Sequence, residues 1–204
     1  NFYEREIADL QPFFQFHPWL YLFLVPAIGM RLWAEERKYG TVELLLTLPI
    51  TAGEAVVGKF AAAWLFVGLA LALTFPIWIT VNILGDPDNG VIVAGYLGSW
   101  LMAGGFLAIS ACLSAVTRNQ VVAFIVAVVV CFGFLLSGLP MVLDVFRGWL
   151  PQPVVDAVAN LSFLSHFNSI SRGVVDVRDL VYFGLVIGFW LFANRIVVEI
   201  KKAQ

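Results

Sequence analysis

The chain has 204 residues, of which 61% are hydrophobic and 13% charged, and its mean hydropathy is +0.90. Soluble domains contain about 25% charged residues, so this composition indicates a membrane protein. The net charge of −2 argues against a nucleic-acid partner, because such binding needs a basic surface.

Five apolar runs are long enough to cross a bilayer, which takes about 20 helical residues for about 30 Å of hydrocarbon. The sequence predicts spans at 13–30, 55–84, 91–116, 121–139 and 180–198. The ten-residue alternation typical of membrane barrels is missing from the sequence. The expected fold is all-α, a single polytopic membrane domain over residues 1–204 with five transmembrane helices in this chain.

The distribution of lysine and arginine predicts the orientation, since cytoplasmic loops of membrane proteins are rich in both. One set of segments holds 8 of the 12 basic residues. We expect this set to face the cytoplasm, with residue 1 outside and the C-terminus inside. Because the chain starts outside on Asn1 with no span before it, six spans are expected in the full protein. The basic-rich set contains Arg31, Arg37, Lys38, Lys59, Arg118, Arg195, Lys201 and Lys202.

Two short patterns predict where helices begin on the cytoplasmic side. Thr51 with Glu54, and Thr117 with Gln120, fit the S/T-x-x-E/Q capping box directly before an apolar run. Each threonine is therefore expected to cap the helix that follows it.

Two prolines and a glycine pair affect the predicted spans. Pro76 in the second span and Pro26 in the first predict kinks, unless neighbouring helices accommodate the prolines. Gly184 and Gly188 in the last span fit either a close helix contact or a chance spacing.

A charged segment follows the first span, at residues 31–51. Gly40 can end the incoming helix, and Thr41 can begin a short helix that runs to Pro49. This short helix has too few apolar residues to cross a membrane, and too many leucines to be fully exposed to water. Both an interfacial helix in the headgroup layer and a docking element for a cytoplasmic subunit fit these properties.

The sequence of this segment carries a family resemblance. Residues 30–60, 117–124 and 161–183 resemble the membrane subunit of ABC-2 type transporters, and among these the gliding-motility-type permeases. The likeness covers essentially the whole chain and implies a type V exporter-like permease fold with six spans. Its most specific part is the pattern E-E-x-x-x-G-T-x-E-x-L-L-x-x-P, formed by Glu35, Glu36, Gly40, Thr41, Glu43, Leu45, Leu46 and Pro49.

The resemblance also implies partners. A coupling helix within residues 35–50 would seat in a groove of a cytoplasmic ABC ATPase, present in two copies, which binds the ATP and magnesium. A second permease chain, identical or different, would complete the complex in the lipid of the bacterial inner membrane, and a periplasmic accessory subunit would be a further partner. The implied ATPase contacts are Glu35, Glu36, Arg37, Gly40, Thr41, Glu43, Leu45 and Pro49.

The sequence predicts no catalytic, cofactor or metal site in this chain. Residues 53–60 nearly fit the phosphate-binding pattern G-x-x-x-x-G-K-[ST], but Phe60 supplies no hydroxyl for magnesium. Lys59 is expected to extend to the inner interface instead. His17 and His166 are the only histidines, neither has a second ligand at metal spacing, and both are expected at the outer interface.

Residues 140–179 form a predicted outer loop with short amphipathic helices. These could lie on the outer leaflet, close an exit path, bind another subunit or pack on the bundle as a lid. One helical face comprises Val154, Val158, Leu161 and Leu164, and the other Phe163, Phe167, Ile170 and Val174.

The expected function is that of a non-catalytic permease subunit that couples ATP hydrolysis by its partner to export or movement of a substrate. One alternative is a mechanotransmitter that acts on a periplasmic partner without moving cargo. The other is a stand-alone channel or scaffold without an ATPase.

Overall fold

The computed structural model describes residues 10–41, 50–147 and 151–202. These ranges hold ten α-helices and no strand. The helices are α1 (Gln11–Gly29), α2 (Arg31–Tyr39), α3 (Ala52–Ala72), α4 (Phe75–Leu84), α5 (Asn89–Val116), α6 (Gln120–Leu136), α7 (Pro140–Arg147), α8 (Gln152–Asn160), α9 (Phe163–Ser171) and α10 (Val177–Lys202).

Four stretches of the described chain are long and apolar enough to cross a membrane. They are Gln11–Tyr39, Ala52–Leu84, Asn89–Val116 and Val177–Lys201, and they match four of the five predicted spans. The remaining prediction, 121–139, falls on α6, an apolar helix of 17 residues. At about 1.5 Å per residue, α6 is about 25 Å long, which is shorter than the hydrocarbon core.

The two prolines act differently. The second span is interrupted at Leu73 and Thr74, between α3 and α4, where Pro76 lacks an amide hydrogen and would crowd the carbonyl of Ala72, the last residue of α3. Thr74 stabilises the break, since its hydroxyl donates to the carbonyl of Leu71 at 2.7 Å. By contrast, α1 continues through Pro26 to Gly29, so the helix accommodates this proline.

One of the two predicted capping boxes is confirmed. Thr51 Oγ1 accepts from the Glu54 amide at 3.2 Å, and the Glu54 carboxylate accepts from the Thr51 amide at 2.7 Å. The prediction for Thr117 is wrong, because Asn119 caps α6 by accepting from the amides of Val121 and Val122. Asparagine is as effective an N-cap as serine, and Asn119 lies directly before the helix. Thr117 accepts only from the Asn119 amide.

Helix α5 is the centre of the bundle. It contacts α1, α2, α3, α6, α9 and α10, and 78% of its most apolar 18-residue window is buried, against 22% for Ala52–Leu84 and for Val177–Lys201. Its closest neighbours approach over glycines. A Cβ atom on Gly104 would lie 2.8 Å from Trp64 Nε1 and 2.9 Å from Ile187 Cδ1, so no side chain fits there without movement.

The glycine pair of the last span makes no such contact. A Cβ atom on Gly184 or Gly188 of α10 would meet no atom of the described chain within 4 Å. Among the described residues, the spacing therefore does not mark a close helix contact.

Of the three helices within residues 140–179, α9 packs on the bundle as a lid, with contacts to α1, α5, α6 and α10. The second predicted face is confirmed for Phe163, Phe167 and Ile170 of α9, which are fully buried, whereas Val174 lies beyond the helix and is 62% exposed. The first predicted face is wrong. Helix α8 ends at Asn160 and buries Val155, so Leu161 lies in the following turn.

His166 fastens this lid to α10. Its Nδ1 lies 2.6 Å from Asp179 Oδ1, its Nε2 lies 3.0 Å from the Asn160 carbonyl oxygen, and its ring stacks on Tyr182. His17 is 5% exposed, and its Nδ1 lies 3.3 Å from Ser99 Oγ. It shares the buried face of α1 with Phe14 and Tyr21. Its expected place at the outer interface stays a prediction.

The packing of α5 generates a prediction about Gly104. Gly104→Val should destabilise the protein by about 1–3 kcal/mol more than Gly133→Val, because overpacking a filled core costs that much. A Cβ atom on Gly133 meets nothing within 4 Å, so the control has the same change in helix propensity without the clash. Thermal unfolding in detergent measures the difference, and equal midpoints for the two variants would contradict the close approach.

Candidate functional site

The charged segment of the sequence folds into one end of the bundle, which we call the charged end and define by Arg37, Lys59, Arg118 and Lys201. Here α1 passes into α2, α3 begins, α5 ends, α6 begins and α10 ends. Beneath the charges lies a small apolar cluster of Trp33, Ala55, Val56, Ala115 and Val198, which joins α2, α3, α5 and α10. Trp33 is 1% exposed, so α2 is seated in the protein rather than lying free on its surface.

A serine of α5 fixes the junction between α1 and α2. The amides of Trp33 and Ala34 donate to Ser114 Oγ at 3.1 and 3.0 Å, and that hydroxyl donates to the carbonyl of Met30 at 2.7 Å. The first amides of a helix lack partners within it, and Met30 offers no side-chain cap. Ser114 therefore performs from a neighbouring helix the function of an N-cap.

Lys59 joins α3 to α2. Its ammonium donates to the carbonyl of Leu32 at 2.9 Å, forms an ion pair with Glu36 and lies 4.5 Å from the centroid of the Trp33 ring. We call this group of four residues the Lys59 latch. The side chains of Lys59 and Glu36 are only 20% and 30% exposed, and Glu36 Oε2 is buried without a hydrogen-bond partner. A carboxylate in that position depends on the lysine charge.

Two more cations hold the end of α5. Arg37 of α2 donates to the carbonyl of Ala115, and Lys201 of α10 donates to the carbonyl of Val116. The last carbonyls of a helix have no intrahelical donor and carry a partial negative charge, so cations stabilise this terminus. Helices α2 and α10 are thereby connected through the terminus of α5.

Gly40 ends α2 in the left-handed conformation, with φ of +71°. A Cβ atom there would meet nothing within 4 Å, so the backbone angle, rather than space, favours glycine. The hydroxyl of Thr41 donates back to the Glu36 carbonyl at 3.3 Å. The expected end of the incoming helix is thus confirmed.

The predicted contact residues divide into two groups. Glu36 and Arg37 are directed into the bundle, where they bind Lys59 and the end of α5, and Glu35 is half-buried. Gly40 and Thr41 are exposed. The predicted Glu43, Leu45 and Pro49, with most of the predicted short helix, lie outside the described residues.

Sequence reasoning missed Ser114, Trp33 and Lys201 as parts of this site. Ser114 lies about 80 residues from the amides that it caps, and no local pattern marks it. The sequence predicts Lys59 only as a residue that extends to the inner interface. Its position about two turns into α3, close in sequence to a charged helix, is the available signal.

The site consists of contacts between helix ends. Within the described ranges, no group of three histidine, cysteine, aspartate or glutamate side chains could hold a metal ion. Of the two helices that flank residues 42–49, α2 is connected to α3 by the Lys59 latch and to α5 by Ser114 and Arg37.

Long apolar helices around a central buried one, with a cation-rich end, define a multi-pass α-helical membrane protein. Residues 13–193 match the family model described as "ABC-2 family transporter protein". The chain therefore belongs to the ABC-2 transporter family, as a membrane subunit of the permease type. No protein of curated function matches the sequence.

The Lys59 latch yields a prediction. Lys59→Met should destabilise the protein by about 1–3 kcal/mol, because it leaves the Glu36 carboxylate partly buried and unpaired. Breaking a fully buried ion pair costs about 3–5 kcal/mol, and this pair is more exposed. Lys59→Met combined with Glu36→Gln should recover most of this loss. Unfolding in detergent for the two single variants and the double variant measures the coupling. Strictly additive effects would show that the pair does not interact.

Proposed function

We propose that this chain is the membrane-embedded permease of an ABC complex, of the gliding-motility type, in which ATP hydrolysed by a separate cytoplasmic ATPase drives export or movement of a substrate. Two ATPase copies hold the ATP and magnesium, and two permease chains form the path in the bacterial inner membrane. The ATPase seats on residues 35–50. Membership of the ABC-2 family supports this reading.

The observation that carries the proposal is the attachment of α2 and α3 at the two sides of residues 42–49. An ATPase can move membrane helices only through contacts that differ between its two states. Because the Lys59 latch joins α2 to α3, a push on the segment between them displaces both helices together. Ser114 and Arg37 extend the connection to α5, which contacts most of the bundle.

We further propose five crossings in this chain, with α6 as the fourth. Helix α6 begins beside Arg118 at the charged end, and the turn after it brings Gly138 against Ser162 and Ser165 of the lid. The helix therefore connects the two ends of the bundle despite its 17 residues. Membranes thin locally around short spans at modest cost.

The proposed orientation places the charged end in the cytoplasm and the lid outside. Thr41→Cys should then resist a membrane-impermeant maleimide in intact cells and react after permeabilisation, whereas Val174→Cys should react in both. Thr41 and Val174 are exposed, while the native Cys112 and Cys131 are 4% and 0% exposed and give little background. Labelling of Thr41→Cys in intact cells would refute the orientation and the docking site together.

The docking proposal predicts the effect of a charge in the leucine-rich segment. Leu45→Glu should lower co-purification of the ATPase at least tenfold, because a buried apolar anchor typically carries about 2 kcal/mol or more of an interface. Val174→Glu at the lid is the matched control and should retain the ATPase. Size-exclusion profiles of both variants verify folding, and undiminished co-purification with Leu45→Glu would count against docking at this segment.

A mechanotransmitter is the second candidate, and the lid favours it. Phe163, Phe167 and Ile170 of α9 are fully buried and α9 packs on α5, the same helix whose end is held at the charged end. A movement entering at α2 could thus reach the outer surface and act on a periplasmic subunit. The two functions differ in whether ATP turnover in proteoliposomes responds to a transported cargo.

A further inference from the structure

Four cations at or beside the charged end have no acidic partner among the described residues: Arg37, Lys38, Arg118 and Lys201. Arg37 and Lys201 bind carbonyls of α5 rather than carboxylates, and both experience electrostatic repulsion from Arg118. Lys38 lies over the ring of Tyr39. Three carboxylates of this end are engaged elsewhere: Glu36 with Lys59, Glu54 with Thr51 and Glu199 with Arg195. Glu35 of α2 forms no described ion pair with these cations, and its single charge is smaller than theirs combined. The cluster therefore has a positive charge that the described residues do not neutralise.

An open cavity of about 250 Å³ adjoins this cluster, lined by Lys38, Arg118, Asn119, Gln120 and Val121. An ammonium, a guanidinium and two side-chain amides offer hydrogen-bond donors to it. Asn119 uses its amide oxygen for the amides of Val121 and Val122, which leaves its amino group available. Such a set of donors suits the oxygens of a phosphate.

An apolar stripe begins in the same cavity. Val121, Ile125 and Val129 lie four residues apart on one face of α6 and are 63%, 54% and 64% exposed. Residues at this spacing line up along a helix, so the stripe extends about 12 Å from the cavity towards the middle of the bundle. A cationic pocket is thus continuous with an apolar surface.

We propose that this cavity is a binding site for an anionic phospholipid, whose phosphate lies between Lys38 and Arg118 and whose acyl chain follows Val121, Ile125 and Val129. The stripe distinguishes a lipid from the other anions that the cations could attract. A free phosphate would contact the cavity alone. An acidic protein surface would not contact apolar side chains that lie up to two turns further along α6. The bound lipid would connect the end of α2 to the start of α6.

The lipid site can be tested in the purified chain without any ATPase. A negative result for lipid binding is therefore distinct from a failure of the docking proposal. Detergent-solubilised protein is incubated with equal amounts of phosphatidylglycerol and phosphatidylcholine, and the retained lipid is read by native mass spectrometry. The wild type should retain phosphatidylglycerol preferentially. The double variant Lys38→Gln with Arg118→Gln should reduce that preference roughly tenfold, since each cation at an anionic membrane surface contributes a factor of about five before screening.

Arg31→Gln with Arg195→Gln is the matched control, because it removes two exposed cations from the same end without touching the cavity. It should leave the preference within about twofold, well short of the factor of about five that a single contacting cation contributes. An equal loss in the control would overturn the proposal in favour of diffuse surface charge. Displacement of the lipid by inorganic phosphate at the same concentration would show that free phosphate is the ligand. An unchanged lipid preference in the first double variant would overturn the proposal, because neither cation would then contribute to binding the lipid.

Discussion

Helix ends inside a membrane protein leave backbone groups without partners, and the charged end is built around satisfying them. The hydroxyl of Ser114 accepts from the first amides of α2 and donates to the carbonyl of Met30. Arg37 and Lys201 donate to the next two carbonyls of α5, those of Ala115 and Val116. One turn of α5 thereby holds α1, α2 and α10, and the position of α2 over α3 depends on it.

The central position of α5 has a corresponding requirement along its length. Helices that contact neighbours on most sides need small residues, because close packing leaves no room for side chains at each contact. Gly104 faces Trp64 and Ile187, and Gly105 faces Phe163 of the lid. The helix that ends in the charged cluster therefore also supports the lid. A single helix thus connects the two ends of the bundle.

The sequence predicts the parts of this structure that depend on neighbouring residues. Long apolar runs give four of the helical spans, Gly40 gives the end of α2, and Thr51 with Glu54 gives the start of α3, because each signal is complete within a few residues. The cap of α6 shows where such patterns fail. Thr117 and Asn119 both satisfy a capping rule, and only the chain path after α5 decides in favour of Asn119.

Signals of a few neighbouring residues do not predict the tertiary contacts of the candidate site. Nothing near Ser114 indicates that it serves amides about 80 residues away, and Lys59 resembles many interfacial lysines until α2 is placed beside it. The same limit applies to Glu36 and Arg37. A charged motif predicts that these residues make contacts, but whether the contacts are internal or with a partner depends on how α2 rotates about its axis. Burial of Trp33 fixes that rotation.

This rotation gives the two halves of the charged motif different tasks in the proposed complex. Glu36 and Arg37 face inward and hold α2, which leaves Glu35, Thr41 and the residues after it to meet an ATPase. If the segment after Gly40 moved without α2, the left-handed turn at Gly40 would have to absorb the motion. If α2 moved without α3, Glu36 would lose Lys59 and remain partly buried as an unpaired charge. Joint movement of α2 and α3 avoids that cost, so the latch favours transmission of a push into the membrane over local deformation of the loop.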